Sequence, residues 1–345
     1  MNVTSAILLP VNQFDHFYRG GDRIGALRHG PGGPRRPEEW IGSTTARFGQ
    51  APAGLTVLPD GKALAEDVSA DPEGWLGPAH VARYGPSTEL LVKLLDLDQR
   101  LPVHLHPTRA FSRTHLGLAH GKTEAWYVLD APEGARVGVG FAQPMSIEQV
   151  RSWVMNRDSD ALLSALRTRE VRPGDAMLVP SGLPHTVQDG VFVLELQEPT
   201  DLSILLEWQG FAVDGFKDGH LDLGFDTALQ AVDTSAISET DLDRLVLPRE
   251  DIESGGLVSA LPTAADPYFR LHRLTGSTGE SMTAGFSIAL ITGGRGVLAF
   301  GDHGLEVARG DAVLIPYAAG AWRLEGDVVA MVCRPPAADA PEAPR

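Results

Sequence analysis

The chain has 345 residues, of which 43% are hydrophobic and 21% charged, as is typical of a globular protein with two or three domains. Its formal net charge of −16 argues against nucleic acid or an anionic membrane as a partner. Cys333 is the single cysteine, which excludes an intramolecular disulfide and a thiolate metal site. The first ten residues lack the features of a signal peptide and no apolar run could span a bilayer, so we expect a cytoplasmic protein.

The N-terminal segment, residues 1–89, combines short strands with glycine- and proline-rich turns. Residues 79–84 predict a short helix that ends at the following Gly-Pro pair. We expect this segment to pack on the domain that follows it.

Residues 90–215 predict a β domain with a helical insertion. The apolar run from Leu90 to Leu95 predicts a buried strand, and residues 171–197 return to β after the insertion. The insertion spans 146–167, where Ser146 resembles a helix start and apolar residues recur at helical spacing.

Residues 216–260 predict a helical connector, and residues 261–335 predict a second all-β domain. The segment 308–321 repeats the pattern of 172–185, which indicates two related barrels. Ala321 aligns with His185 in this repeat, and the second copy has no paired histidines. Residues 336–345 are rich in proline and alanine and predict a flexible tail.

Three histidines and a glutamate predict a metal site in the first of these barrels. His104 and His106 are two residues apart, so on a strand both rings point to one face. His185 ends the pattern G-x5-P-x-G-x2-H, and Glu124 begins another predicted strand. Imidazole and carboxylate groups on neighbouring strands suit a divalent metal such as zinc.

These motifs, in this order, resemble the type I mannose-6-phosphate isomerases, which belong to the cupins. The matching pieces are Leu91 to Asp96, His106-Pro107, Gly121 to Leu129, Pro173 to His185 and Glu195 to Asp201, with a looser match at Glu39 to Ser43. The resemblance covers roughly residues 90–335 well. It implies a mainly β bicupin fold with inserted helices and a metal site in the first barrel only.

The resemblance and the strand positions together predict the functional residues. We expect His104, His106, Glu124 and His185 to bind one divalent metal ion, zinc first and manganese or iron as alternatives. Lys122 shares the face of Glu124, and the family resemblance implies a role in proton transfer. Glu195 interrupts an apolar strand and is the second candidate acid or base. The remaining histidines, His16 among them, are expected to have surface or structural roles.

Substrate contacts are predicted at five further positions. Lys93 interrupts an apolar run, Trp40 and Trp126 are candidate cavity walls, and Arg109 with Arg113 follows the histidine strand as a candidate phosphate contact. The chain departs from the family at two positions. His104 stands where the family usually has glutamine, and Leu205 stands where it usually has an arginine linked to catalysis or phosphate binding.

The function implied is interconversion of mannose 6-phosphate and fructose 6-phosphate through an enediolate. Three alternatives stay open: an isomerase or epimerase acting on another, possibly unphosphorylated, sugar; a non-catalytic sugar-binding bicupin; and an iron-dependent cupin dioxygenase. A small sugar or sugar phosphate is the expected partner, with no nucleic acid or membrane. The protein is expected to be a monomer or a homodimer.

Overall fold

The computed structural model describes residues 4–343 and is mainly β, with short helices between the strands. In chain order, the strands are β1 (Ile7–Leu8), β2 (Glu38–Ile41), β3 (Leu91–Asp96), β4 (His104–Leu105), β5 (Glu124–Asp130), β6 (Arg136–Phe141), β7 (Leu166–Glu170), β8 (Ala176–Val179), β9 (His185–Val187), β10 (Phe192–Gln197), β11 (Ile204–Leu205), β12 (Val246–Leu247), β13 (Leu257–Ser259), β14 (Arg270–Thr275), β15 (Ser281–Met282), β16 (Ser287–Phe300), β17 (His303–Ala308), β18 (Ala312–Ile315) and β19 (Trp322–Arg334). The α-helices are α1 (Arg23–Arg28), α2 (Leu64–Ala70), α3 (Pro72–Leu76), α4 (Pro78–Tyr84), α5 (Arg109–His115), α6 (Ile147–Asn156), α7 (Ser159–Ala165), α8 (Gly215–Asp218), α9 (Phe225–Ala228), α10 (Glu239–Arg244) and α11 (Arg249–Ile252). Among the described residues, no helix has the length and apolar character needed to cross a membrane.

Two sheets form the first barrel, as the sequence predicts. One has the strand order β12-β8-β5-β10-β3-β2 and the other β11-β4-β9-β6-β7. Side chains alternate between the two faces of β5: Trp126 and Val128 join the apolar core inside the barrel, whereas Ala125 and Tyr127 face outward. Glu124 therefore lies on the inner face, at the end of its strand.

A single eight-stranded sheet forms the second barrel. Its main order is β1-β18-β16-β19-β14-β13, with β15 paired to β19 and β17 to β16. The predicted repeat is present, because Gly174 and Gly310 adopt left-handed φ angles of 95° and 99° in matching turns. In each turn an aspartate carboxylate accepts a hydrogen bond from the backbone N–H three residues earlier, at 2.9 Å for Asp175 and 2.8 Å for Asp311.

The two barrels share one apolar core between their outer faces. Ala125 and Leu194 from the first barrel belong to the same buried cluster as Ile288, Leu290 and Cys333 from the second. Burial of this shared surface stabilises both barrels together, since the hydrophobic effect scales with the apolar area removed from water. Cys333 is fully buried there and acts as a small apolar side chain.

The flanking segments contribute short strands whose positions the sequence pattern does not reveal. Within the expected N-terminal segment, β2 pairs with β3 of the first barrel and β1 pairs with β18 of the second. Within the expected helical connector, β12 pairs with β8 and β13 pairs with β14, between short separate helices. Strands of two to four residues are too short for a periodic pattern, so only tertiary contacts define them.

The predicted helical insertion begins as expected and ends earlier. The Ser146 hydroxyl accepts a hydrogen bond from the Gln149 N–H and caps α6. Helix α7 ends at Ala165, and Arg167 lies in β7 because this segment pairs with β6. The predicted tail is partly held in place: Arg83 and Tyr84 donate to the carbonyl oxygens of residues 338 and 337, while residues 344–345 lie outside the described range.

Candidate metal centre and substrate cavity

Two paired strands bring three imidazoles together inside the first barrel. His104 in β4 lies directly opposite His185 at the start of β9, and His106 follows on the same face two residues after His104. The ring centroids lie 4.2, 4.8 and 4.9 Å apart. One nitrogen of each ring lies within 4.8 Å of the other two, which is compatible with a shared cation.

Backbone carbonyl groups fix the orientation of all three rings. Each Nδ1 lies within hydrogen-bond distance of one carbonyl oxygen: His104 with Pro102 at 2.9 Å, His106 with Leu202 at 2.7 Å and His185 with Leu183 at 2.8 Å. A carbonyl oxygen only accepts, so each Nδ1 carries the proton and each Nε2 keeps a lone pair. Metal-binding histidines are commonly held in this way.

Glu124 brings a carboxylate to two of these three rings. Its Oε2 lies 2.9 Å from His106 Nε2 and its Oε1 lies 3.3 Å from His185 Nε2. Glu124 Oε2 and His185 Nε2 are nevertheless buried without a hydrogen-bond partner of suitable geometry. Buried polar atoms are rarely left without a partner, and a divalent cation would satisfy these two. The residues present therefore fit the metal ion that the sequence predicts.

Burial keeps His104 and His106 neutral, which is the form of imidazole that binds a metal. Desolvation lowers the pKa of His104 well below its usual value, and the neighbouring His185 and His106 lower it further. Desolvation and the charge of Lys122 lower the pKa of His106 to about 3. Neutral imidazoles therefore persist at pH 7 and across mildly acidic conditions.

Lys122 and Glu195 both lie in the cavity beside this group. The Lys122 ammonium donates to His106 Nε2 at 2.9 Å and lies 3.1 Å from Glu124 Oε2. Burial and the charge of Glu124 raise the pKa of Glu195 to about 8, against the opposing effects of Lys93 and Lys122. A carboxyl group with that pKa can both accept and donate a proton near neutral pH.

Lys93 occupies the centre of a buried ionic cluster. Its Nζ lies 3.4 Å from Glu38, 3.7 Å from Asp201 and 4.0 Å from Glu195. Burial would lower the pKa of Lys93, but these three carboxylates raise it, so the ammonium stays charged.

Trp40 and Trp126 lie beneath the cavity surface rather than on it. Trp40 is fully buried, its ring centroid lies 4.5 Å from Lys93 Nζ, and its Nε1–H donates to Glu38 Oε2 at 2.7 Å. Trp126 packs in the core with its ring centroid 5.7 Å from that of His185. The structure therefore places Trp40 as a support for Lys93 and Glu38, and does not bring it to the substrate space.

Neither arginine predicted as a phosphate contact lines the cavity. Arg109 lies at the start of α5, where its guanidinium pairs with Glu198 and covers the ring of Tyr268 at 5.3 Å. Arg113 is exposed further along the same helix. The helix directs both side chains away from the histidine group, which a position in sequence alone does not disclose.

The cavity residues that the sequence did not disclose include His16, Tyr18, Glu38 and Asp201. The Tyr18 hydroxyl donates to Glu38, and His16 Nδ1 lies 3.5 Å from the same carboxylate. Burial would raise the pKa of Glu38, but His16, Lys93 and the donors Tyr18 and Trp40 lower it. One sequence signal could have indicated Glu38: it lies two residues before Trp40, so on a strand both side chains point to the same face.

The cavity has a volume of about 660 Å³ and extends from the histidines to the N-terminal segment. Leu205 lines it and lies directly opposite His104 in the β11–β4 pair. Asp214, Asp218 and Asp222 line the wall next to Leu205. This wall is therefore apolar and acidic, where the family resemblance implies an arginine.

Comparison with known proteins agrees with this architecture. No protein-family model matches the chain. It is 30% identical over 245 residues to the mannose-6-phosphate isomerase of Streptococcus mutans, covering 69% of this chain and 72% of that protein. It is 28% identical to mannose-6-phosphate isomerase of Bacillus subtilis, covering 70% and 73%.

Solved structures share the fold over almost the whole chain. The mannose 6-phosphate isomerase structure from Bacillus subtilis aligns with a TM-score of 0.77 at 22% identity, over 96% of this chain and 99% of that one. A mutant phosphomannose isomerase from Salmonella typhimurium aligns with a TM-score of 0.74 at 14% identity, over 96% and 100%. The two-barrel cupin fold predicted from the sequence is thus confirmed, and the chain belongs to the mannose-6-phosphate isomerase family.

Proposed function

We propose that this protein is a metal-dependent aldose–ketose isomerase that interconverts mannose 6-phosphate and fructose 6-phosphate. The observation that carries the proposal is the convergence of three imidazoles and Glu124 beside a carboxyl group, Glu195, whose pKa is raised to about 8. We propose zinc as the metal, since three imidazoles and one carboxylate suit it, with manganese and iron as alternatives. A phosphorylated sugar does not cross membranes freely, so the proposed site of action is the cytoplasm.

The reaction moves a proton between C1 and C2 of the sugar, through an enediolate. A metal ion held by His104, His106, Glu124 and His185 would supply Lewis-acid stabilisation of the negative charge on the substrate oxygens. Glu195 is the proposed proton carrier between the two carbons, because its raised pKa matches the working pH. The Lys122 ammonium adds positive charge at the same place and is the proposed proton donor to the oxygens.

The ionic cluster around Lys93 holds Glu195 in place for this transfer. The side chains of Lys93, Glu195 and Glu38 meet on one face of the sheet, because β10, β3 and β2 are adjacent strands. Deep burial of the group excludes bulk water, which would otherwise compete for the proton.

The test is proton NMR of fructose 6-phosphate in D2O with the metal-reconstituted protein. We expect mannose 6-phosphate to appear and deuterium to enter C1, and both to be lost in a His185→Ala variant and after chelation of the metal. Absence of product and of exchange from metal-loaded protein would contradict the proposal.

A second candidate is an isomerase for an unphosphorylated sugar. Leu205 and the carboxylates Asp214, Asp218 and Asp222 favour it, because they make one cavity wall unfavourable for a phosphate. Running the same NMR assay with mannose and fructose distinguishes the two candidates.

A further inference from the structure

Two cavity arginines have no carboxylate partner, although the cavity is rich in acids. The lysines and arginines that line it are Arg35, Arg47, Lys93 and Lys122. Lys93 and Lys122 are paired with Glu38 and Glu124. Within residues 4–343, neither Arg35 nor Arg47 has a carboxylate oxygen within 4.0 Å.

Backbone carbonyl groups of adjacent residues hold both guanidinium groups at the cavity. Arg35 donates through Nε and Nη2 to the His16 carbonyl oxygen at 3.0 and 2.7 Å. Arg47 donates through Nη1 to the Asp15 carbonyl oxygen at 3.0 Å, and its guanidinium carbon lies 5.9 Å from the ring centroid of Phe14. The carbonyl groups position the guanidinium groups and leave their charges uncompensated.

The arginines line the same cavity as His104, on the side formed by the N-terminal segment. The His16 side chain contacts Glu38, and its backbone carbonyl holds Arg35, so His16 separates this pair from Lys93. Next to Arg47, the Phe48 N–H donates to Asp201 at 3.2 Å, which attaches the loop of Arg47 to the cavity. An extended substrate with its reacting carbons at the histidines would present its other end to these two arginines.

We propose that Arg35 and Arg47 bind the phosphate of the substrate. This inference rests on the proposed isomerase function and names the residues that give it a hexose 6-phosphate as substrate. A guanidinium donates two parallel hydrogen bonds to phosphate oxygens, and a pair of them matches a dianion in charge. The acidic wall at Asp214, Asp218 and Asp222 repels the phosphate and directs it to this pair. The N-terminal segment thus takes over a phosphate contact that Leu205 cannot provide.

The test measures KM and kcat for fructose 6-phosphate in Arg35→Gln, Arg47→Gln and the double variant, all loaded with metal. We expect KM to rise by about 10-fold or more in each single variant, as is usual for loss of a charge-assisted hydrogen bond. We expect kcat to stay within about 3-fold, since neither arginine touches the reacting carbons. Inhibition by inorganic phosphate is expected to weaken in parallel, and Arg47→Lys is expected to recover part of the affinity.

Arg244→Gln is the matched control, because Arg244 is exposed, pairs with Asp241 and does not line the cavity. Unchanged KM in the arginine variants, or an equal rise in the control, would overturn the assignment while leaving the isomerase function intact. If the wild-type protein shows no isomerisation, calorimetric titration with fructose 6-phosphate and with fructose still tests it. A preference for the phosphorylated sugar that disappears in the double variant supports the arginine site, and the absence of any preference overturns it.

Discussion

The two barrels pair their matching strands in the same register, but charged side chains of the first barrel are replaced by uncharged ones in the second. Glu124 lies opposite Val179 in the first barrel, and Ser287 lies opposite Ile315 at the matching place in the second. The turn before the matching strand is also the same, since the N–H of Gly174 and the N–H of Gly310 each donate to the neighbouring strand at 2.8 Å. The backbone therefore does not dictate the polar residues of the first barrel.

A second set of paired strand positions also carries charged residues in the first barrel and uncharged residues in the second. Glu195 faces Lys93 in the first barrel, whereas Val332 faces His272 at the matching positions in the second. A well-packed apolar residue is generally at least as stabilising as a buried charge, which must be paired to be tolerated. The charged cluster of the first barrel is thus best explained by function, and exchanging residues between the barrels tests this explanation.

The largest effect is expected from Glu124→Ser, which gives the first barrel the residue of the second. Loss of the carboxylate removes one proposed metal ligand, so we expect metal affinity to fall and isomerase activity to reach the uncatalysed background. Metal content by elemental analysis and the fructose 6-phosphate assay measure the two effects. Ser287→Ala is the matched control and should change neither. Full activity in Glu124→Ser would exclude Glu124 as a ligand.

The second effect concerns proton transfer by Glu195. Glu195→Gln preserves the shape of the side chain but cannot carry the proton, so we expect kcat to fall by about 10²- to 10⁴-fold. Metal content should stay at the wild-type level, because Glu195 is not among the proposed ligands. A variant that keeps its kcat would remove Glu195 from the mechanism, and a variant that loses its metal would make it structural.

The third expected effect is on the free energy of unfolding. It compares Lys93 in the first barrel with His272 at the matching position in the second. Lys93→Met leaves Glu38 and Glu195 buried without their cation, which should lower the free energy of unfolding by about 3–5 kcal/mol. His272→Met, at the matching position, removes a partly buried imidazole that has no carboxylate oxygen within 4.0 Å among residues 4–343, and should be close to neutral. Urea unfolding of the metal-free proteins measures both changes. Equal losses in the two variants would show that the position, rather than the charge, controls stability.

The sequence predicted those parts of the site that are local in the chain. His104 and His106 could be predicted because strand alternation places residues two apart on one face. Glu124 could be predicted because it begins a strand, and His185 because its turn pattern is distinctive. Both barrels were accessible through the repeated turn. The Trp40 and Arg109 predictions assumed that an aromatic or basic side chain near the motif faces the cavity, and the helix and strand geometry directs both elsewhere.

The rest of the site depends on contacts between distant segments. His16 and Glu38 come from the N-terminal segment and Asp201 from the chain after β10, and they meet only around Lys93. No local periodicity records such convergence. The two arginines held by the carbonyl oxygens of residues 15 and 16 are of the same kind, since the fold of the N-terminal segment alone brings them to the cavity.

The smallest expected effect is on the pH dependence of stability, and it arises from His272 in the second barrel. Burial, together with the charges of Arg270 and Arg334, lowers the pKa of His272 to about 4 from its usual 6.5. The unfolded chain therefore binds a proton at this residue before the folded protein does. The stability that the neutral imidazole contributes is complete above about pH 6.5 and is lost as the pH falls towards 4.

At pH 4 this loss should be about 1–3 kcal/mol, given 1.36 kcal/mol for each pKa unit. Replacing His272 with glutamine removes the titration, so the variant should lose less stability than the wild type between pH 6.5 and 4. Urea unfolding of both proteins at several pH values measures the difference. Parallel curves would mean that His272 becomes protonated equally easily in both states. A shallower curve for the variant would establish that the folded second barrel excludes a proton from His272. The matching position of the first barrel holds Lys93, which stays charged.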